Sequence, residues 1–321
     1  MKRLHILFAI VSSFWLLGIV VYLVNTKSVT ENLSLPDKPV FQCEHIDIVY
    51  TWVNGSDPVH IQSRVERTGG GSRYSSPGNN RFRDLMGLKY SLRSLKKYAP
   101  WIRRIFVVSD NQYPSWFDKS SDEVRFVFHK DFFLNKEDLP TFNSNSIESN
   151  FFNLPDEVSD CFLYFNDDIF VGSPIQIKDF WDPTYGQAIY KSSWTAPQPK
   201  EKMGNIWHRC IAYTNELLNG MWGVDNHSRH YASHGANFFN KPILKMMQQA
   251  MPEAFAITSS NPFRRENDLQ IPFLYLHLRP KTVCLNDGLN ADNPNLSVIE
   301  ALSVFFENYF PERGSWEVNQ D

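Results

Sequence analysis

The stretch Phe162–Phe170 (FLYFNDDIF) decides the fold, because four large apolar residues run straight into the adjacent carboxylates Asp167 and Asp168. An apolar, aromatic run of this length is typical of a strand buried on both faces, as in a parallel sheet. Carboxylates at the carboxyl end of such a strand lie where open α/β sheets bind ligands. A divalent cation carrying a phosphate is the usual partner of such a pair. The alternative is a strand that ends in a solvated Asn-Asp-Asp turn.

The length and composition predict a folded protein with a sizeable core. With 321 residues, the chain holds one large α/β domain or two small ones. Apolar residues make up 42% and aromatic residues 15% of the chain, and this aromatic content favours clefts with stacking surfaces over a disordered chain. The formal charge of −3 argues against a general nucleic-acid binder, which needs a basic surface.

The beginning of the chain predicts a membrane anchor. From His5 to Val24 there is no acidic side chain and no basic one beyond the terminal histidine, and a segment of about 20 such residues spans a bilayer. Lys2 and Arg3 precede it, so the positive-inside rule keeps the amino terminus in the cytoplasm. A cleaved signal peptide would need a small-x-small site, which Leu23–Thr26 does not offer. The predicted organisation is a cytoplasmic tail (1–4), a single-pass type II signal anchor (5–24), a stem (25–44) and a lumenal catalytic domain (45–321).

The cysteines fit an oxidising secretory compartment. Their wide spacing, without a CxxC pair, argues against zinc ligation, whereas one or two disulfides would form in such a lumen. Cys161 abuts the buried strand and would equally suit a core thiol. The cysteines are Cys43, Cys161, Cys210 and Cys284, and glycosylation sequons occur at Asn32, Asn54, Asn226 and Asn295.

Strands and helices alternate around the central stretch, which predicts an α/β fold. Ile46–Val53 is β-branched and aromatic, a first core strand, and it breaks at the turn-forming cluster Asn54–Pro58. An amphipathic helix runs from about Arg81 to Tyr98. After residue 190 the pattern becomes helical and is expected to cap the ligand edge of the sheet. The further predicted elements are strands over Arg104–Asp110, Val124–Phe128 and Thr282–Leu285, and helices over Ser144–Leu154, Ile211–Leu218, Lys241–Gln249, Asn267–Leu278 and Ser297–Tyr309.

These segments resemble, in order, the four conserved blocks of the Stealth family of sugar-phosphate transferases. The family includes bacterial capsule polymerases and the catalytic subunit of the Golgi N-acetylglucosamine-1-phosphotransferase, whose long spacer and accessory modules this chain lacks. The resemblance implies a Rossmann-like, GT-A-reminiscent fold with a mostly parallel sheet and a helical C-terminal cap. The matching segments are Ile46–Pro58 for the first block, Arg81–Phe117, Leu139–Phe142, Ile147-Glu148 and Phe162–Asp168 for the second, Ile211–Asn219, His234 and Met251–Leu278 for the third, and Val283–Asp287 with Val304–Pro311 for the fourth.

The resemblance implies transfer of a hexose 1-phosphate to a hydroxyl of a glycan or glycoprotein acceptor, with release of UMP and formation of a phosphodiester. The donor would be a UDP-sugar, most simply UDP-N-acetylglucosamine, with UDP-xylose as an alternative. This chemistry needs Mg²⁺ or Mn²⁺ on the diphosphate, a base for the hydroxyl and donors for the developing charge. The expected location is a Golgi or other secretory-pathway membrane, and a homodimer is among the assemblies that the sequence allows.

The resemblance also implies individual roles. Asp168, with Asp167, would hold the metal or act on the transferring phosphate, and Glu148 would support metal or acceptor. His234 would be the general base, since imidazole titrates near neutral pH, and Arg264 would brace the phosphate with a bidentate guanidinium. The nucleotide would be cradled by Asp47, Trp52, Asn54, Gly55 and Asp57, with Arg81 as a further phosphate contact.

Each of these residues also has a purely structural explanation. Trp52 would equally suit the core, and Glu148 would equally support its own helix. One of the adjacent Arg264 and Arg265 could serve only to pair with an acidic neighbour, either Glu266 or Asp268. The histidines His227, His230 and His234 are clustered in sequence, but their spacing fits no common zinc site.

Two other functions remain as alternatives to sugar-phosphate transfer. A metal-dependent glycosyltransferase would use Asn166-Asp167-Asp168 as a metal-binding motif and would release UDP rather than UMP. A membrane-anchored glycan-binding protein would keep the fold without turnover, although such a protein has no need for the set Glu148, Asp168, His234 and Arg264.

Overall fold

The computed structural model describes Cys43 and residues 45–68, 86–182, 186–197 and 205–278, which all belong to one unit of the chain, Val40–Thr282. Within these ranges the strands are β1 (Ile46–Thr51), β2 (Ile105–Ser109), β3 (Val124–Phe128), β4 (Cys161–Asn166), β5 (Trp181–Asp182), β6 (Gly186–Gln187), β7 (Lys191–Thr195), β8 (His230–Ala232) and β9 (Asn237–Asn240). The helices are α1 (Pro58–Thr68), α2 (Gly87–Tyr98), α3 (His129–Phe132), α4 (Ser144–Glu148), α5 (Ile206–Trp222), α6 (Lys241–Ala250), α7 (Pro252–Ser260) and α8 (Ile271–His277).

Five of these strands form the central sheet, in the order β3-β2-β1-β4-β9. β1 pairs in parallel with β2 and with β4, and β2 pairs in parallel with β3. β9 is antiparallel to β4, with Asn237 opposite Tyr164. The predicted α/β fold with a mostly parallel sheet is confirmed, and the antiparallel edge strand is an addition to it.

The central strands are apolar on both faces because each face packs against its own core. On one face Phe162 and Tyr164 of β4 join Val49 of β1 and the helices α5, α6, α7 and α8. On the other face Leu163 and Phe165 join Tyr50 of β1 and helix α2. A strand covered on both sides needs a continuous apolar run rather than an alternating one, which explains the composition of the stretch that follows Cys161.

Several helices differ from their predicted bounds. The helix predicted over Ser144–Leu154 ends at Glu148 and is followed by a separate 3₁₀ turn, Phe151–Asn153. The helix predicted over Asn267–Leu278 begins only at Ile271, with proline in the first turn, where its missing N–H is tolerated. The helices α1 and α7 are additions to the predicted elements.

The second half of the chain is not wholly helical, contrary to the prediction. β7 and β8 pair antiparallel in a separate two-stranded sheet, with Lys191 opposite Ala232 and Thr195 opposite His230. β9 then enters the central sheet beside β4. These strands have five residues or fewer, too few to show a period of two clearly.

Some predictions fall outside the described residues. These are the tail (1–4), the anchor (5–24), nearly all of the stem (25–44), Arg81, Cys284, the strand Thr282–Leu285 and the helix Ser297–Tyr309. Among the helices that the structure does describe, none combines the length and the hydropathy required to cross a membrane.

The amino edge of the sheet is fastened covalently. A disulfide joins Cys43, before β1, to Cys161, the first residue of β4. Cys210 is a buried free thiol on α5, so of the cysteines that the structure describes, only one pair is oxidised.

Candidate active site

The carboxyl ends of β1, β2, β3 and β4 meet at one edge of the sheet because these strands are parallel. β9 runs the other way, so the turn before it, residues 233–236, also lies at this edge. Open α/β sheets bind ligands at the carboxyl edge. We call this edge, with the loops that follow β1, β2 and β4, the candidate site.

The Tyr164 hydroxyl joins three elements at the centre of the candidate site. It lies 3.0 Å from Thr51 Oγ1 at the end of β1, 3.0 Å from Glu148 Oε1 at the end of α4 and 2.8 Å from Asn166 Oδ1 at the end of β4. A phenol carries a single proton, so Tyr164 donates to only one of these three oxygens at any moment. The protonation state of Glu148 therefore influences which of them accepts that proton.

Glu148 is a buried acid, with a side chain only 5% exposed. Its Oε2 atom has no hydrogen-bond partner among the residues that the structure describes. Burial raises the pKa of Glu148 from 4.5 to about 7, and it outweighs the hydrogen bond from Tyr164 and the positive charge of Arg264, which both lower the pKa. A carboxyl that titrates near neutral pH and keeps one oxygen free is suited to proton transfer or to holding a substrate hydroxyl.

Arg264 extends the same group from the loop after α7. Its terminal nitrogen donates a 2.7 Å hydrogen bond to Ser144 Oγ at the start of α4, and its Nε has no hydrogen-bond partner in the described part of the chain. The acidic neighbours are used elsewhere, since Glu266 pairs with Arg209 at 3.2 Å and Asp268 accepts from the Arg265 backbone N–H. Arg264 is therefore not consumed by an ion pair with either of them.

The loop around Arg264 is held by a buried carboxylate. Asp268 is fully buried and accepts hydrogen bonds from the amide side chains of Asn143, at 2.8 Å, and Asn261, at 2.7 Å. Burial raises the pKa of Asp268, although these hydrogen bonds oppose the shift. Asp268 thus fixes the loop to the start of α4, and this fixes Arg264 relative to Glu148.

Asp167 and Asp168 follow β4 directly, as predicted. Asp168 is exposed and Asp167 half-buried. The pKa of the Tyr164 phenol is raised first by burial and the Glu148 charge, with a smaller contribution from the charge of Asp167. The backbone of this turn is contacted by Gly87, the first residue of α2, where a Cβ atom would lie 2.5 Å from the Asp167 carbonyl oxygen. The acidic pair therefore lies against a helix start where any side chain would force the backbone to shift.

No cluster of three or more His, Cys, Asp or Glu side chains within the described ranges could hold a metal ion. The donor set nevertheless suits Mg²⁺ or Mn²⁺ bound together with a substrate, because such ions often take only one or two carboxylates plus phosphate oxygens. Asp167 and Asp168 provide such a pair. The histidines do not converge on a zinc site, since the His230 ring bonds the Ser192 carbonyl.

The loop after β1 is organised by Gln112 rather than by a phosphate-binding glycine pattern. The Asn54 N–H donates to Gln112 Oε1 at 2.9 Å, and Gln112 Nε2 donates to the Asn54 carbonyl and to Asp57 Oδ2 at 3.0 Å. Burial tends to raise the pKa of Asp57, but hydrogen bonds from Gln112 and from the backbone of α1 bring it below its ordinary value. Gly55 lies in this turn, while Trp52 is 4% exposed and packs in the core.

One of the predicted nucleotide contacts that the structure describes, Asp47, is not brought to this edge. Asp47 lies at the opposite, amino edge, where Arg103 Nε donates to it at 2.8 Å and the Ser159 N–H at 2.7 Å. Four residue steps along β1, about 13 Å, separate it from Thr51. The assignment of Asp47 to the nucleotide is therefore wrong: its buried carboxylate forms an ion pair with Arg103. Arg81 lies outside the described residues.

His234 lies in the turn between β8 and β9 and is exposed. Three residues later, at Asn237, the chain enters β9 beside β4, so His234 lies at the same edge as Asp167 and Asp168. The structure thus gathers Glu148, Arg264 and the acidic pair around the end of β4, with His234 on the adjoining turn.

Two buried histidines at this edge had not been predicted. His129, directly after β3, is buried, and His60 lies on α1. Burial lowers the pKa of His129 to about 3 and that of His60 to about 4, so both are neutral near pH 7. A histidine among apolar residues is more often structural than catalytic, and the sequence offered no further signal for either.

Comparison with protein-family models finds the four Stealth conserved regions in order. Conserved region 1 matches residues 44–72, region 2 residues 81–189, region 3 residues 233–279 and region 4 residues 276–321. The third region begins at residue 233, so the segment Ile211–Asn219, which had been assigned to the third block, lies outside it.

The chain is also similar to polysaccharide phosphotransferases. An exopolysaccharide phosphotransferase of Streptomyces coelicolor is 30% identical over 88% of this chain and 60% of the relative. The exopolysaccharide phosphotransferase CpsY of Mycobacterium tuberculosis is 30% identical over 85% of this chain and 58% of the relative. The capsular polysaccharide phosphotransferase fcs1 of Haemophilus influenzae is 31% identical over 72% of this chain and 64% of the relative. The chain therefore spans about 60% of the length of these curated relatives.

Proposed function

Because this chain belongs to the Stealth protein family, we propose that it transfers a hexose 1-phosphate from a UDP-sugar to a hydroxyl of a glycan acceptor. The most economical donor is UDP-N-acetylglucosamine. UMP would leave and a phosphodiester would form. The names of the relatives, exopolysaccharide and capsular polysaccharide phosphotransferases, support the transfer of sugar phosphate to a polysaccharide.

One observation carries this proposal: a buried carboxyl with a free oxygen lies beside a guanidinium at the carboxyl edge of the sheet. Glu148 keeps Oε2 free, and Arg264 keeps Nε free, among the described residues. Buried groups are normally paired, so unpaired ones at a ligand-binding edge mark a site that is completed by a substrate. An acid and a cation together suit an acceptor hydroxyl next to a phosphate.

The proposed reaction uses these groups as follows. The acceptor oxygen attacks the phosphorus that carries the sugar, the bond from that phosphorus to the bridging oxygen breaks, and UMP leaves with the bridging oxygen. His234 takes the proton of the acceptor hydroxyl, and Glu148 holds this hydroxyl in place. Arg264 balances the charge that develops on the phosphate oxygens. The sugar–oxygen bond is untouched, so the anomeric configuration is retained.

We place a divalent cation at Asp167 and Asp168 as part of the same proposal. The chemistry that bound Mg²⁺ or Mn²⁺ supplies is positive charge on the donor diphosphate, which makes UMP a better leaving group. The loop of Asn54, Gly55 and Asp57 adjoins this position at the end of β1 and would contact the nucleotide.

The proposed location is a Golgi or other secretory-pathway membrane, with the catalytic part in the lumen. The disulfide between Cys43 and Cys161 supports an oxidising compartment. The apolar segment 5–24 supports a type II anchor.

The test is to identify the nucleotide that is released and the mass that the acceptor gains. The protein is incubated with a panel of UDP-sugars, Mg²⁺ and simple glycosides. UMP with an acceptor heavier by a sugar phosphate is the expected result. UDP with an acceptor heavier by a sugar alone would mean glycosyl transfer, and binding without turnover would mean a lectin.

A matched pair of variants makes this test specific to the candidate site. Arg264→Ala should lower kcat at least about a hundredfold, because it removes the charge on the phosphate. Arg265→Ala removes the same charge from an exposed neighbour and should leave kcat within about twofold. Equal losses in the two variants would contradict the role given to Arg264.

A further inference from the structure

A cluster of aromatic rings lies beside the candidate site without a role in the proposed reaction. Trp194 on β7 has its ring centroid 6.1 Å from that of His208 and 6.2 Å from that of Tyr231. Trp207 lies 5.3 Å from Tyr231 on the other side. We call Trp194, Trp207, His208 and Tyr231 the aromatic platform. Trp194 is its outer face, with 63% of the side chain exposed.

The aromatic platform has a fixed base. Tyr231 is 4% exposed, its hydroxyl is hydrogen-bonded to His208 Nδ1 at 2.7 Å, and its ring lies edge-on to the buried Phe273. Lys191 pairs with Ala232 and Thr195 with His230, so β7 is held to β8 on either side of Trp194 and Tyr231. Single exposed apolar side chains are ordinary, but Trp194 belongs to a cluster of rings in tilted and edge-on contact, and it is the most exposed member of that cluster.

The aromatic platform is continuous with the candidate site on its His234 side. The Ser233 N–H, next to His234, donates to the Tyr190 carbonyl at 2.9 Å, and Lys191 pairs with Ala232. β7 therefore starts alongside the turn that carries His234 and reaches Trp194 about 10 Å further on.

The aromatic platform also adjoins the loop that carries Arg264. His208 lies in the first turn of α5, and the next two residues of this helix contact that loop. Arg209 forms a 3.2 Å ion pair with Glu266, and Cys210 Sγ donates to the Arg265 carbonyl at 3.0 Å. The platform thus borders two segments to which the proposed reaction assigns a base and a phosphate contact.

The surroundings of Trp194 match a sugar rather than a protein surface. A pyranose presents an apolar face of C–H groups with hydroxyls around its rim, so it fits a flat ring flanked by hydrogen-bonding groups. Ser193 and Thr195 beside Trp194 are exposed, and the imidazole of His208 lies 6.1 Å from the Trp194 ring, centroid to centroid. The centre of a protein interface would instead need a contiguous apolar, desolvated patch.

We propose that the aromatic platform is a subsite for the acceptor glycan, in which Trp194 stacks on a sugar ring one or more units away from the reacting hydroxyl. This inference rests on the proposed function, since it names the class of acceptor that the same site uses. An acceptor long enough to contact both His234 and Trp194 should bind better than a monosaccharide. The KM for the donor should not depend on Trp194.

The test compares short and long acceptors in the full protein. For Trp194→Ala, the KM for a long oligosaccharide should rise by about tenfold relative to the KM for a monosaccharide of the same sugar. Trp194→Phe, which keeps an aromatic ring, should restore most of the difference. Met221→Ala, which shortens a 41% exposed side chain at the far end of α5, should leave both KM values unchanged. Equal changes for short and long acceptors in Trp194→Ala would overturn the proposal.

Direct binding separates this inference from the proposed reaction. A panel of hexose and N-acetylhexosamine oligosaccharides of graded length is titrated without donor, and the intrinsic tryptophan fluorescence of wild type, Trp194→Phe and Trp194→Ala is followed. Length-dependent affinity that Trp194→Ala abolishes supports the platform even if UDP rather than UMP is released during turnover. Affinity that does not grow with oligosaccharide length would overturn it.

Discussion

At the scale of single residues, Glu148 is an acid whose ionised form is disfavoured by burial. Its carboxyl is buried, one oxygen accepts from Tyr164, and the other has no partner among the described residues. Ionisation there is unfavourable because the buried carboxylate loses the hydration that would stabilise its charge in water. The positive charge of Arg264 recovers part of this free energy but not all of it.

The pKa of Glu148 leads to a prediction about stability and pH. Because burial raises this pKa from 4.5 to about 7, the folded state keeps a proton that the unfolded state has lost between these values. The free energy of unfolding should therefore fall as pH rises from about 5 to 8, by on the order of 3 kcal/mol for this group. Glu148→Gln cannot ionise and should lack this component. Urea unfolding of both proteins across that pH range measures the difference.

The control for this experiment is Glu66→Gln, which makes the same chemical change on the exposed side of α1. This variant measures how a Glu→Gln substitution changes the free energy of unfolding when the carboxyl is not buried. Parallel curves of unfolding free energy against pH for wild type and Glu148→Gln would show that the buried carboxyl is not the source of the effect.

The residues around Glu148 show what sequence reasoning could and could not find. Glu148 and Arg264 were predicted because they stand in recognisable blocks. Tyr164 was passed over, since a tyrosine in a run of phenylalanines resembles core, and its partners Thr51 and Glu148 lie 113 and 16 residues away. Asp47 was misplaced, although its position at the start of a strand already put it at the amino edge.

At the scale of secondary-structure elements, Gly87 determines how α2 meets the acidic pair. Alanine favours a helix over glycine by about 1 kcal/mol, but a Cβ at position 87 would lie 2.5 Å from the Asp167 carbonyl oxygen. The backbone of Asp167 or the start of α2 must then move. We expect Gly87→Ala to destabilise the protein by about 1–3 kcal/mol and to lower transfer activity by displacing Asp167 and Asp168. Thermal unfolding and the rate of transfer measure both effects.

Gly220 in α5 provides the matched comparison. It is also helical, but no atom lies within 4 Å of a Cβ built there. Gly220→Ala should therefore stabilise the protein by about 0.5–1 kcal/mol and leave transfer unchanged. A Gly87→Ala protein that behaves like Gly220→Ala would show that the approach of α2 to the acidic turn is not tight.

The secondary-structure predictions were correct where the local sequence pattern and the tertiary environment favour the same conformation. The strands β1, β2, β3 and β4 are continuous apolar runs because both of their faces are buried, and a short window shows this. β9, the four residues Asn237–Asn240, owes its conformation to hydrogen bonds with β4, which no window of its own sequence contains. Helix ends were misjudged where a proline or a 3₁₀ turn intervenes, as at Ile271 and Phe151.

At the scale of the whole molecule, the disulfide closes a large part of the described chain. Cys43 and Cys161 are 118 residues apart, so the unfolded chain loses considerable conformational freedom when they are joined. Reduction should lower the free energy of unfolding by about 2–5 kcal/mol. Urea unfolding with and without dithiothreitol measures the change. In Cys43→Ser the reductant should have no further effect, and a wild-type curve insensitive to reductant would contradict the pairing.

The two edges of the sheet thus differ in kind. The amino edge carries the disulfide and the Asp47–Arg103 ion pair, whose groups satisfy one another. The carboxyl edge carries Glu148 and Arg264, each with an atom that lacks a partner among the described residues. Stability therefore concentrates at one end of the strands and chemical reactivity at the other.

That asymmetry suggests how this protein could be used as an immobilised catalyst. A resin or sensor surface coupled near Ser159, beside the Asp47–Arg103 pair, would stand about 13 Å along β1 from Thr51 and would not obstruct the carboxyl edge. The immobilised protein could then be supplied with the soluble glycan acceptors of the proposed reaction in continuous flow. Random coupling through surface lysines would instead obstruct the carboxyl edge in a fraction of the molecules.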